Sequence, residues 1–222
     1  LKNGTMRDDH EERATMVERQ IRARGISDAA VLAAMLKVPR DLFVPFESRH
    51  RAYEDHPLPI GCGQTISQPY IVALMCEALK IEPGSRVLDI GTGSGYAAAV
   101  MAEMGAKVIG IDRKPELAEF AKTNLIRAGY PTVEIHCGDG TVGYPQAAPY
   151  DAIMVAAGCP ALPGTLKKQL TIGGRLVIPI GPSRHHQHLL RITRQSETDL
   201  SSETLGDVTF VPLIGEEGWD DD

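Results

Sequence analysis

The sequence predicts an α/β fold, a doubly wound and mostly parallel sheet, from three observations. An apolar run, Val87-Leu88-Asp89-Ile90, leads into the alternate glycines of Gly91-Thr92-Gly93-Ser94-Gly95 and then into the Ala-rich stretch from Tyr96 to Met104. That order reads as a buried strand, a tight turn and a helix. Beyond it, short apolar runs alternate with helical patterns as far as Ile180, as strands joined by crossover helices do. Two last strand-like segments, Leu189 to Thr193 and Val208 to Leu213, flank a polar connection and predict a carboxy-terminal antiparallel hairpin.

Taken from the amino terminus, residues 8 to 24 set Met16, Val17 and Ile21 among charged positions and predict a helix stopped by Gly25. Ser27-Asp28 offers caps for a second helix, Ala29 to Val38, which ends before Pro39 because the residue preceding proline resists the helical conformation. From Arg40 to Pro59 the charges are mixed, no period emerges, and Pro45, Pro57 and Pro59 interrupt, so this stretch reads as a surface loop. The segment Leu58 to Tyr70 precedes an amphipathic helix, Ile71 to Leu79, and Pro83-Gly84 closes that unit. There follow the strand Lys107 to Asp112, the helix Glu116 to Ala128, the strands Val133 to His136 and Tyr150 to Val155, the helix Leu162 to Leu170 and the strand Gly174 to Ile180. We expect a single domain over residues 1–222, with 1–57 a helical extension and loop and 58–222 the cofactor-binding core.

Bulk properties exclude several classes. A chain of 222 residues, 43% hydrophobic and 23% charged, suits one globular α/β domain. No apolar run approaches the roughly 18 residues that span a membrane, and Leu1 to Met6 lacks a signal-peptide apolar region, so a cytoplasmic location is expected. A net charge of −6 without a basic tract argues against nucleic acid as a partner, because phosphate contacts need clustered Lys and Arg. Cys62, Cys76, Cys137 and Cys159 are widely spaced and read as reduced thiols, indicating neither a zinc site nor a disulfide framework. The cluster His185-His186-Gln187-His188 reads as a solvated hairpin loop and not a metal site, since adjacent strand positions face opposite ways. We expect a monomer without a metal.

The glycine turn lets the backbone approach a ligand closely, and the helix after it offers unpaired N–H groups. Its spacing, G-x-G-x-G, departs from the dinucleotide pattern G-x-G-x-x-G. Asp89, two residues before the first glycine, is placed to accept from the cationic amine of a methionine moiety and would repel a pyrophosphate; its plainer role is a strand-end acid capping nearby backbone. Asp112 ends the next strand 21 residues after Gly91, where it suits a pair of ribose hydroxyls, caps the helix entered through Lys114-Pro115-Glu116, or does both. Together these features resemble the class I S-adenosylmethionine-dependent methyltransferases.

A narrower resemblance rests on Pro59-Ile60-Gly61-Cys62-Gly63-Gln64-Thr65-Ile66-Ser67-Gln68-Pro69, just upstream of the cofactor strand. It is similar to the signature P-I-G-x-G-Q-T-I-S-x-P of the protein-L-isoaspartate O-methyltransferase family. The likeness extends through Met16 to Pro45, Gly138-Asp139-Gly140, Tyr150-Asp151-Ala152-Ile153, Gly173-Gly174-Arg175-Leu176 and Phe210-Val211-Pro212-Leu213.

That resemblance implies methyl transfer from S-adenosylmethionine, leaving S-adenosylhomocysteine, to the free α-carboxylate of L-isoaspartyl residues in damaged proteins and peptides. It puts the family's functional serine on Ser67. Cofactor contacts fall on Gln64, Thr65, Ile66 and Ser67, on Tyr70, on Asp89, Gly91, Gly93 and Ser94 of the turn, on Asp112 and Arg113, and on Asp139 and Gly140. Ser67 also reads as a helix cap and Asp139 as an ordinary Asp-Gly turn. Competing readings are a methyltransferase for another small-molecule or protein acceptor, a nicotinamide-dependent oxidoreductase, and a binding protein that transfers nothing.

Overall fold

The computed structural model describes residues 9–221. The stretch Leu1 to Met6 and the first residue of the expected amino-terminal helix lie outside them. Helix α1, Asp9–Thr15, runs on through a π turn, Met16–Ile21, and a 3-10 turn, Arg22–Arg24, and stops at Gly25 as expected. Helix α2, Ala29–Lys37, is capped by Asp28, whose Oδ1 accepts from the N–H groups of Ala30 and Val31 at 2.9 and 3.1 Å. A small hairpin, β1 Leu58–Gly61 and β2 Gln64–Ile66, leads into α3, Pro69–Leu79. Then come β3 Arg86–Ile90, α4 Tyr96–Glu103, β4 Lys107–Asp112, α5 Pro115–Arg127, β5 Glu134–Cys137 and β6 Tyr150–Val155. The chain finishes with α6 Gly164–Gln169, β7 Leu170–Ser183, β8 His186–Arg194 and β9 Leu200–Val208.

Seven strands form one sheet in the order β5-β4-β3-β6-β7-β8-β9, parallel from β5 to β7, with β8 running against both neighbours. Val87 to Ile90 and Ala152 to Val155 are buried, as expected of central parallel strands covered on both faces. Alternate residues feed two cores: Val87, Met154 and Val177 pack with Met16, Met35 and Met75, whereas Leu88, Ile153 and Leu176 pack with Tyr150 and Leu166. The strand order grows from β3 outward to β5, then returns to β6. A crevice therefore opens beyond the carboxyl ends of β3 and β6, the switch point where open α/β sheets bind ligands.

Three expectations need correction. The stretch from Arg40 to Pro59 is not a surface loop: it holds 3-10 turns at Arg40–Phe43 and Phe46–Arg51 and buries Arg40, Phe43, Val44, Ala52 and Tyr53. Turns this short carry too few residues to print a period. The last strand is β9 and not Val208 to Leu213. Ser201 to Thr204 are all exposed, which erases the alternation of a half-buried strand, while Val211 and Leu213 run beside Gly158 with bonds of 2.8 Å in each direction. The histidine cluster is mostly strand: β8 begins at His186, Gln187 points inward and is buried, and His188 pairs through Nδ1 with Asp207 at 2.6 Å.

Candidate active site

The crevice at the switch point deepens into a cavity of about 250 Å³. Its floor is backbone: Gly91 and Gly93 line it with φ of +74° and +55°, conformations that a side chain disfavours. Gly140 lines it too, and a Cβ there would stand 2.5 Å from Ile90 Cγ2. Asp112, at the end of β4, reaches the cavity nearly buried, its Oδ2 accepting from the Gly93 N–H and its Oδ1 from the Lys114 N–H, both at 3.0 Å. Burial raises its carboxyl pKa against the pull of those two bonds. Each oxygen keeps a lone pair for a ligand donor.

Asp89 lies behind that floor, fully buried. Its Oδ2 accepts from the Thr92 hydroxyl at 2.7 Å, whereas Oδ1 has no partner. Burial pushes its carboxyl up to about 6, with the Thr92 bond opposing and the nearby Asp112 adding. An unpartnered buried carboxylate oxygen is rare in a folded chain and suits a cationic donor that arrives with a ligand.

The opposite wall is the carboxy-terminal strap. Val211 to Ile214 and Asp221 line the cavity, and Arg113 grips Asp221 with two bonds of 3.1 and 2.6 Å. Arg184, also at the cavity, donates to the Asp220 carbonyl at 2.8 Å. The Trp219 indole N–H donates to the Gly158 carbonyl at 3.1 Å, and the Glu216 N–H to Asp139 Oδ2 at 2.8 Å.

A second cavity, about 280 Å³, adjoins the first and shares Thr65, Ala156 and Val211 with it. Ser67 lies on this second cavity, with Phe210 and the β9 end residues Asp207 and Val208. Ser67 is not the helix cap: Gln68 holds that position, no side chain bonds the first turn of α3, and Pro69 supplies N1, where no N–H is needed.

The sequence model of the protein-L-isoaspartate(D-aspartate) O-methyltransferase family matches residues 11–218. The chain belongs to this family. A relative from Marinobacter nauticus, protein-L-isoaspartate O-methyltransferase 2, is 59% identical over 93% of this chain and 94% of its own length. One from Methanoculleus marisnigri is 57% identical over 94% of each. A crystal structure from Plasmodium falciparum, described as a protein-L-isoaspartate O-methyltransferase in complex with S-adenosyl-L-homocysteine, is similar with a TM-score of 0.80 and 31% identity, covering 91% of this chain and 98% of that one.

Within this family member, the first cavity gathers Gln64, Thr65, Gly91, Gly93, Asp112, Arg113 and Gly140 of the expected contacts. Others stand apart from its lining, Asp89 among them, buried behind the floor. Ile66 is buried in the core, Ser67 faces the second cavity, and the Tyr70 ring lies under the Arg24 guanidinium at 3.6 Å. Ser94 is buried with its carbonyl held by Asn124 at 3.1 Å. The Asp139 carboxylate is engaged by the Thr141 N–H and hydroxyl and by Glu216, so it forms an Asx turn that also anchors the strap. The sequence reading missed Ala156 and Ala157 after β6, although the switch-point rule points to that strand end. It also missed Ile90, Ile111, Lys114, Arg184 and the strap residues, for which no local pattern exists.

Proposed function

We propose that this chain transfers a methyl group from S-adenosylmethionine to the α-carboxylate of L-isoaspartyl residues in proteins and peptides, initiating their repair. The observation that carries this reading is the pair of cavities meeting at Thr65, Ala156 and Val211, one walled by the glycine turn and Asp112 and the other by Ser67. Family membership supplies the reaction class, and the relative from Plasmodium falciparum, bound to S-adenosylhomocysteine, supports the cofactor.

The residues present suit that cofactor. Asp112 keeps acceptor capacity on both oxygens for ribose hydroxyls, and the unpartnered Asp89 Oδ1 suits the amine of the methionine moiety. When bound, S-adenosylmethionine supplies an electrophilic methyl group on a positively charged sulfur. The acceptor needs no base, because an α-carboxylate with a pKa of about 3.3–3.7 is already an anion at neutral pH. Alignment and exclusion of water are what remain for the chain to provide, and the strap and the shared wall suit both. A neutral hydroxyl on Ser67 restrains the carboxylate lightly, where a cationic clamp would stabilise the ground state more than a transition state in which charge is being neutralised. A cytoplasmic location is part of this reading, in keeping with the wide spacing of the four cysteines in the sequence.

Labelled S-adenosylmethionine and two peptides differing only in Asp against L-isoAsp test the reading. Label enters the isoaspartyl peptide alone; equal labelling of both, or of neither, overturns it. Ser67→Ala is expected to lower turnover while S-adenosylhomocysteine binding in calorimetry stays unchanged, and a parallel loss of cofactor affinity would assign Ser67 to the cofactor instead.

A further inference from the structure

Arg40 is a wholly buried cation. Its Nε donates to the Ala52 carbonyl and its Nη2 to the Ser67 carbonyl, each at 2.8 Å, while the guanidinium lies 4.9 Å from the centre of the Tyr96 ring and Nη1 has no partner. No carboxylate pairs with it among the described residues, and the groups that act on its charge are Tyr96 and Tyr53. Burial lowers its pKa to about 10, which leaves it charged at neutral pH. A buried, unpaired cation is an expensive way to join two loops. A fork of fixed geometry is what holds two carbonyls at once, and a lysine cannot span both.

The carbonyl on which one arm of the fork closes belongs to the residue that faces the second cavity. Ser67 sits between β2 and α3, so its peptide takes part in neither the hairpin ladder nor the helix. Without an outside bond, the backbone at Ser67 is free to shift, and the Ser67 side chain shifts with its Cα. We propose that Arg40 is a positioning residue for methyl transfer, bridging the Ala52 and Ser67 carbonyls so that the Ser67 hydroxyl is held facing the acceptor. This rests on the reading of Ser67 as the partner of the acceptor carboxylate.

The test uses Arg40→Lys, which keeps the charge and loses the fork, alone and combined with Ser67→Ala. Arg40→Lys is expected to unfold cooperatively, to bind S-adenosylhomocysteine as the parent does, and to lose about ten- to a hundredfold in kcat on the isoaspartyl peptide, the scale of a small misalignment. In the Ser67→Ala background the same substitution changes kcat by less than about twofold, because the group it aims is gone. Full activity of Arg40→Lys overturns the proposal, as does an equal loss in both backgrounds or a parallel loss of cofactor affinity. Full activity of Ser67→Ala removes the Ser67 reading and this proposal with it. Amide hydrogen exchange at residues 66–68, expected to quicken in Arg40→Lys, is independent of activity; unchanged exchange overturns the proposal even if the substrate assignment fails. Should Arg40→Lys not fold, Arg40→Met carries the same cycle.

Discussion

On one side of the cavity proposed for the cofactor stand Gly91, Gly93 and Gly140, backbone fixed by the ends of β3, β4 and β5. On the other stand Val211 to Ile214, where Val211 and Leu213 share backbone bonds with Gly158, and Asp221, held by the Arg113 side chain. Asp112 is the carboxylate of the first wall, and the shape of that wall is set by glycine backbone without Cβ atoms. The strap is fastened by the Thr165–Glu217 contact, by Asp139 on the Glu216 N–H, and by the exposed pair Arg113–Asp221. Hydrogen bonds from Thr165 hold the Glu217 carboxyl below the ordinary range, and Arg113 does the same for Asp221. A rigid floor sets which ligand fits, whereas a wall of fasteners near the surface is the side that salt and mutation loosen.

The largest effect is expected on the floor. Gly140→Val drives its side chain into Ile90, since a Cβ at this position would already stand 2.5 Å from Ile90 Cγ2. Overpacking of this kind costs about 1–3 kcal/mol, so thermal unfolding is expected several degrees lower. S-adenosylhomocysteine binding should fall by more than about tenfold as the side chain intrudes on the cavity. Calorimetry showing parental affinity would mean that this wall yields and that shape is not its contribution.

In ligand binding an intermediate effect is expected at Asp89, and its sign follows from the direction of the shift. Burial raises the folded-state pKa from 3.8 to about 6, so the folded chain holds this proton more tightly than the unfolded chain does. The stabilisation is full below about pH 4 and is lost as pH rises to about 6, a change on the order of 3 kcal/mol that Asp89→Asn should abolish in urea titrations. A cationic amine on Asp89 favours its anion, so S-adenosylhomocysteine affinity should rise by up to about tenfold per pH unit below pH 6 and level off above it. A flat profile in the parent would separate Asp89 from the ligand.

The contrast between the two walls also explains what could be read in advance. The glycine turn is legible because strand and turn are contiguous in sequence, and Asp112 because its distance of 21 residues from Gly91, at the end of the next strand, itself encodes the geometry. Arg40 was hidden because arginine in a mixed-charge stretch reads as exposed, and its burial depends on Ala52 and Ser67 carbonyls that no side-chain pattern announces. The strap was hidden for a related reason. Arg113 and Asp221 are 108 residues apart, and Val208 to Leu213 carries the apolar spacing of a strand while the strand itself is the polar Leu200–Val208. Ser67 stands out in the sequence through a motif, but the cavity it lines is visible only once the chain enters α3 through Gln68 and Pro69.

The smallest effect is expected at the outer fastener. The Arg113 and Asp221 side chains are 39% and 68% exposed, so water and salt screen their attraction even though the two bonds are short. Asp221→Asn leaves the floor and Arg113 in place and weakens only the grip on the strap. Dissociation of S-adenosylhomocysteine, followed by stopped-flow, should quicken by about two- to fivefold at low salt, and the parent should approach the variant's rate as salt is raised. Equal rates at every salt concentration would show that the inner contacts of Glu216, Glu217 and Trp219 hold the strap without help. A much larger acceleration would mean that the strap opens from its outer end as one unit, with the Arg113–Asp221 pair as the point at which release begins.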